Sequence, residues 1–125
     1  MNAVMVTAHG NFAIGLKDSY TMIMGESNHI FPIALKDGVE SFSMLMEKQV
    51  EKLLEKYEGI MILCDLKGGT PYNTALKQMF THPERIKVVA GVNLPLLIEL
   101  SLILDKGIHE LAGEAITIGI QSITD

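Results

Sequence analysis

Several features are scarce or missing in this sequence, and each absence closes a class of function. There is a single cysteine, Cys64, so no internal disulfide framework can staple the chain. No apolar run reaches the roughly 20 residues a helix needs to cross a bilayer. The opening MNAVMVTAHG has neither the basic segment nor the cleavage site of a secretory leader. Lysine and arginine number 10 against 15 acidic residues, so the basic excess of a nucleic-acid binder is lacking, although a local basic patch remains compatible. No internal repeat, low-complexity segment or paired His/Cys spacing of a metal site is visible. These absences predict a cytoplasmic protein with no nucleic-acid partner, metal or cofactor. A length of 125 residues predicts one domain, 1–125, and 48% hydrophobic content supplies a core for it.

What is present is organised around Cys64-Asp65-Leu66-Lys67-Gly68-Gly69-Thr70-Pro71-Tyr72-Asn73. It follows Gly59–Cys64, the most apolar short run, which reads as a strand buried on both faces. Two glycines then turn the chain. Thr70 suits a helix N-cap and Pro71 a first helical position, so a helix over about 71–80 is expected. Asp65 would sit at the strand's end, where open α/β sheets place their chemistry.

The rest of the chain alternates in the same way. Residues 3–8 read as a buried strand ending at His9-Gly10, and Asn11 as the cap of a helix over 12–24, in which Phe12, Leu16, Tyr20 and Ile23 fall at helical spacing. Residues 30–35 form a shorter strand that Pro32 places at a sheet edge. After the Asp37-Gly38 turn, 41–57 is an amphipathic helix with Phe42, Leu45, Met46, Gln49, Leu53 and Tyr57 inward and a solvated stripe of Glu and Lys. The methionines, Met22, Met24, Met44 and Met46 among them, read as helix core. Residues 86–90 form a fourth strand. Gly91-Val92-Asn93-Leu94-Pro95 makes a second strand-to-helix turn, and helices over 96–104 and 108–118 follow. Alternation of Ile116, Ile118 and Ile120 points to a last short strand over 120–124. The class is α/β: an open, mostly parallel sheet of four strands with helices on both faces, plus that C-terminal strand.

In a parallel sheet all strand C-termini share one edge. His9 and Asp65 end two strands, and if these are neighbours the carboxylate can hold one ring nitrogen, fix the tautomer and make the other nitrogen the nucleophile. Gly68 and Gly69 let backbone N–H groups approach an anion, and Thr70 adds a hydroxyl at a helix N-terminus, which favours negative charge. A nucleophilic histidine, an orienting aspartate and an anion nest together point to phosphoryl transfer through a phosphohistidine. Taken singly, each part has an ordinary structural use: a strand-end histidine, an aspartate capping a turn, a glycine pair in a tight βα turn. A metal site from His9, Cys64 and Asp65 is opposed by strand alternation, which sends Cys64 and Asp65 to opposite faces. His29, His82 and His109 read as surface residues.

Three segments resemble the IIA domain of the mannose-class phosphoenolpyruvate:sugar phosphotransferase system. Thr7-Ala8-His9-Gly10 is similar to that family's active-histidine segment. Asp65-Leu66-Lys67-Gly68-Gly69-Thr70-Pro71 is similar to its Asp-x-x-Gly-Gly-(Ser/Thr)-Pro turn, and Gly91-Val92-Asn93-Leu94-Pro95 to its third signature. The resemblance spans essentially the whole chain. It implies that His9 accepts a phosphoryl group from phospho-HPr and passes it to a IIB component, here expected as a separate polypeptide. It implies that Asp65 orients His9 and that Gly10, Gly68, Gly69 and Thr70 hold the phosphate. It also implies a homodimer with the C-terminal strand exchanged, and an indirect link to membrane components. Lys67 departs from the family, which often has an aromatic residue before Gly-Gly; a lysine there can attract the phosphate or an acidic partner surface. Two rival readings stay open: the related phosphocarrier subunit of a dihydroxyacetone kinase, and a non-enzymatic anion-binding regulatory module.

Overall fold

A computed structural model describes all residues, 1–125. The elements run β1 (Ala3–His9), α1 (Phe12–Met24), β2 (Ile30–Leu35), α2 (Val39–Lys56), β3 (Ile60–Cys64), α3 (Thr70–Thr81), β4 (Ile86–Ala90), α4 (Leu94–Ser101) and α5 (Ile108–Ser122). The four strands form one sheet in the order β2-β1-β3-β4, and every pairing is parallel. The central strands β1 and β3 are the most apolar and the most buried, while β2 and β4 are half-covered edges. Pro32 lies in the edge strand β2, where its missing N–H interrupts no ladder on the open side.

Alternation along the strands feeds two cores. Val4, Val6, Met61 and Leu63 face Leu16 and Tyr20 of α1, Leu96, Leu97 and Leu100 of α4, and Leu111 of α5. On the other face Met5, Ile60 and Ile62 meet Phe42, Met46 and Leu53 of α2 and Ala75 of α3. Each of these large side chains contributes about 1.5–3 kcal/mol by leaving water. Two buried polar side chains are paired: Thr7 Oγ1 donates to the Ile33 carbonyl at 3.0 Å, and Asn2 Nδ2 donates to the carbonyls of Leu104 and Lys106 at 3.0 and 2.7 Å. At the strand N-terminal pole, the Arg85 guanidinium donates to the carbonyls of Leu54, Tyr57 and Glu58 and closes the end of α2. No helix is long and apolar enough to cross a membrane.

Several sequence expectations need correction. The short C-terminal strand does not form: residues 120–122 continue α5, and 123–125 carry no regular structure. Ile116, Ile118 and Ile120 fit a period of two over too few residues to exclude a helix. The helix then prevails because Ile108, Leu111 and Ala115 bury one stripe, and Ser122 Oγ accepts from Asn93 Nδ2 at 2.8 Å. α2 starts at Val39, directly after the Asp37-Gly38 turn, and its buried stripe is Phe42, Met46, Val50 and Leu53; Leu45 is 49% exposed. In α1 the stripe is Ala13, Leu16 and Tyr20, which leaves Phe12 and Ile23 outside it. Met22, Met24 and Met44 are likewise exposed, whereas Met46 is fully buried. α4 ends at Ser101, where the N–H groups of Leu102 and Ile103 switch to i→i−3 acceptors. His29 and His82 are half-buried rather than on the surface, His29 standing edge-on to Tyr57; His109 is exposed.

Candidate functional site

The chain leaves β1 toward β2 on one side and later runs from β3 to β4 on the other, so the direction of winding reverses between β1 and β3. The carboxyl ends of such a strand pair open a crevice, the usual place for a ligand in this architecture. His9 ends β1, and Asp65 follows β3 by one residue. Asp65 N–H donates to the Thr7 carbonyl at 3.2 Å, carrying the ladder one step past the strand and aiming the carboxylate at His9.

His9 Nδ1 lies 2.7 Å from Asp65 Oδ2. The same oxygen accepts the His9 backbone N–H at 3.0 Å, and Oδ1 accepts the Leu66 N–H at 2.9 Å. The His9 side chain is half exposed, and that of Asp65 is 14% exposed. Burial pushes the Asp65 carboxyl up. The His9 backbone N–H, the His9 ring, the Leu66 N–H and the His9 charge together outweigh burial and hold it below the ordinary carboxyl value. Asp65 is therefore ionised at neutral pH. Facing a carboxylate, Nδ1 is the ring nitrogen that carries hydrogen, which leaves the Nε2 lone pair free.

The turn that follows frames Nε2. Gly68 has φ +88°, a conformation side chains resist, and its carbonyl accepts Asn73 Nδ2 at 3.4 Å. Gly69, rather than the expected Thr70, is the residue that caps α3; Thr70 is the first helical residue and its hydroxyl makes no capping bond. The N–H groups of Gly69, Thr70 and Tyr72 have no acceptor within the chain, and they open α3. Gly10 has φ +59° and bends the chain out of β1, but its N–H is committed to the Leu35 carbonyl at 2.8 Å. Lys67 is exposed at the tip of the turn.

Cys64 is fully buried beneath this edge, and burial, with the Asp65 charge second, pushes its thiol up to about 12. Nowhere do three His, Cys, Asp or Glu side chains gather closely enough to hold a metal ion. A surface hollow of about 440 Å³ lies away from the pair, along Ser41, Met44, Leu45 and Glu51 of α2. The second strand-to-helix turn lies beside the site and does structural work: Asn93 Oδ1 accepts the Leu96 N–H at 3.0 Å as a true cap, while its Nδ2 reaches Ser122.

The contacts that sequence reasoning missed are the His9 and Leu66 N–H groups on the Asp65 carboxylate, backbone donors with no side-chain signal.

The model of the family described as PTS system fructose IIA component matches residues 3–116. The chain belongs to this family. This IIA component is of the mannose/fructose/sorbose class, whose members are phosphotransferases. It is 35% identical over 102 residues to the fructose-specific EIIA component of Bacillus subtilis (strain 168), covering 80% of this chain and 68% of that one. It is 30% identical over 125 residues to the mannose-specific EIIAB component of Escherichia coli (strain K12), covering 97% of this chain; it spans only 38% of that longer relative. Among solved structures it is similar to the EIIA component from Streptococcus agalactiae, with TM-score 0.88, 26% identity, and 100% and 97% of the two chains covered. It is also similar to the mannose/sorbose-specific IIA subunit from Enterococcus faecalis, with TM-score 0.80, 33% identity, and 99% and 93% covered.

Proposed function

We propose that His9 of this IIA component is the phosphoryl carrier, loaded by phospho-HPr and unloaded onto a IIB component for sugar uptake. The observation that carries the proposal is the 2.7 Å contact between Nδ1 and Asp65 Oδ2, made to a carboxylate that two backbone N–H groups already fix. In the transfer, the Nε2 lone pair attacks phosphorus in line as the donor's P–N bond breaks, and the donor imidazole leaves with the bonding pair. The hydrogen on Nδ1 stays in its bond to Asp65, whose negative charge offsets the positive charge the ring gains. Such chemistry rests mainly on positioning and charge stabilisation.

The N–H groups of Gly69, Thr70 and Tyr72 and the Thr70 hydroxyl receive the phosphoryl oxygens at the positive end of α3. Gly68 supplies the bend that aims them, and Gly10 the bend that brings His9 to them. Lys67 adds a positive charge for the phosphoryl group or an acidic partner face. Half exposure of the imidazole suits a group passed between proteins.

The same reading takes residues 1–125 as one cytoplasmic IIA domain that forms a homodimer. Ile116, Ile120 and Ile123 stand exposed beside an apolar hollow of about 230 Å³ at the β4 edge, a surface that a second copy would cover. The dihydroxyacetone kinase and regulatory readings have no observation in their favour.

The test is incubation with labelled phosphoenolpyruvate, enzyme I and HPr. Acid-labile, base-stable label is expected on the native protein and not on His9→Ala. Label that persists in the variant places the carrier elsewhere.

A further inference from the structure

The two adjacent glycines of the turn are required for different reasons. Gly68 answers to its own backbone, with φ +88°. Gly69 does not: its φ of −84° and ψ of 174° are extended backbone that any residue adopts. What Gly69 answers to is the imidazole. A Cβ at position 69 would lie 2.8 Å from His9 Cε1 and 3.4 Å from His9 Nε2, with Leu66 Cδ1 at 3.2 Å. Ordinary carbon contacts begin near 3.5 Å, so the ring occupies the space that a side chain at position 69 would need.

A flexible side-chain end could swing aside, but this ring is tethered. Nδ1 is bound to Asp65 Oδ2 at 2.7 Å, that oxygen is bound to the His9 N–H at 3.0 Å, and Oδ1 is bound to the Leu66 N–H at 2.9 Å. A methyl group at 69 can be admitted only if the ring leans outward and stretches or loses its bond to Asp65. We infer that Gly69 is a positioning residue: its missing side chain is the seat that sets the tilt of the His9 ring and keeps Nε2 over the N–H groups of the turn. This role is separate from donation by the Gly69 N–H, which alanine would retain. Its catalytic consequence rests on the reading of His9 as the phosphoryl carrier; the seat itself does not.

The experiment is a four-protein cycle of the native chain, Gly69→Ala, His9→Ala and the double variant, followed by urea unfolding and by ¹⁵N spectra of the His9 ring. Gly69→Ala is expected to lower the unfolding midpoint when His9 is present. In the His9→Ala background it leaves the midpoint unchanged or raises it, because the clash with the ring is gone, the exposed end of Leu66 can swing aside, and alanine restricts the unfolded chain. The ring ¹⁵N shifts of Gly69→Ala move toward a mixture of the two tautomers. Phosphoryl acceptance falls at least about tenfold, with the KM for phospho-HPr unchanged.

Equal loss of stability in both backgrounds, or ring shifts identical to the native ones, overturns the seat. If Gly69→Ala fails to fold, a folded double variant supports the seat and an unfolded one overturns it. If the native protein accepts no phosphoryl group at all, the carrier reading fails while the unfolding cycle and the spectra still decide the seat.

Discussion

Asp65 Oδ2 accepts two hydrogen bonds from one residue, His9: one from the ring at 2.7 Å and one from the backbone N–H at 3.0 Å. The carboxylate thus fixes both where the strand ends and how its last side chain is turned. Asp65→Ala is expected to slow phosphoryl acceptance by about ten- to a hundredfold, by analogy with removal of a carboxylate that orients a metal-bound histidine. The variant should stay folded, losing about 1–3 kcal/mol with the two exposed backbone hydrogen bonds, at about 0.5–1.5 kcal/mol each. Stopped-flow transfer and circular dichroism check both. An unchanged rate removes Asp65 from the mechanism.

The lowered Asp65 carboxyl also links stability to pH. Its folded value lies below the ordinary 3.8, so ionised Asp65 contributes stability above that pH and loses it as pH falls through the lowered value. Urea unfolding at about pH 6 and about pH 3 should show the native protein losing more stability on acidification than Asp65→Asn, which has no proton to bind there. Equal losses would mean that the carboxylate gains nothing on folding.

Gly68→Ala should destabilise by about 1–2 kcal/mol, because alanine must be held at φ +88°. The urea midpoint falls and the slope is unchanged, since the surface exposed on unfolding is the same. A loss that also vanished in the His9→Ala background would contradict the division of roles between the two glycines.

Met46 and Met44 stand two residues apart on α2 and differ completely in burial, at 0% and 63% exposed. Met46→Ala is expected to cost about 2–5 kcal/mol as a core truncation. Met44→Ala should change stability by less than about 0.5 kcal/mol. Comparable losses in the two would argue against the α2 stripe described above.

Cys64, fully buried with its thiol pushed up to about 12, should be inert to an aromatic disulfide reagent near neutral pH. Addition of urea to unfold the chain should release one reactive thiol. Fast reaction of the folded protein would contradict the burial of β3.

The meeting of His9 and Asp65 was legible because parallel strands deliver their C-terminal residues to one edge, and because the two most apolar runs, 3–8 and 59–64, belong at the centre of a sheet. Pro32 announced its edge for an equally local reason. Side-chain chemistry did not reveal the Leu66 N–H, since every residue but proline has one. It also missed the helix start by one residue at 69–70, where a glycine pair followed by threonine offers two equivalent caps. Tertiary packing decided the rest. Leu45 and Val50 are both apolar, and packing of α2 on the sheet buries Val50 while leaving Leu45 49% exposed. The alternating isoleucines of 116–120 fit either period, and the buried stripe of Ile108, Leu111 and Ala115, with the Asn93–Ser122 bond, makes them helix.

At the pole opposite the imidazole, one guanidinium terminates three carbonyls, those of Leu54, Tyr57 and Glu58. A lysine in its place would offer a single ammonium centre to a planar spread of acceptors that the forked group of Arg85 matches. Fraying of α2 would then start at that far end. The rim that carries His9 and Asp65 stays ordered while the opposite end of the molecule breathes.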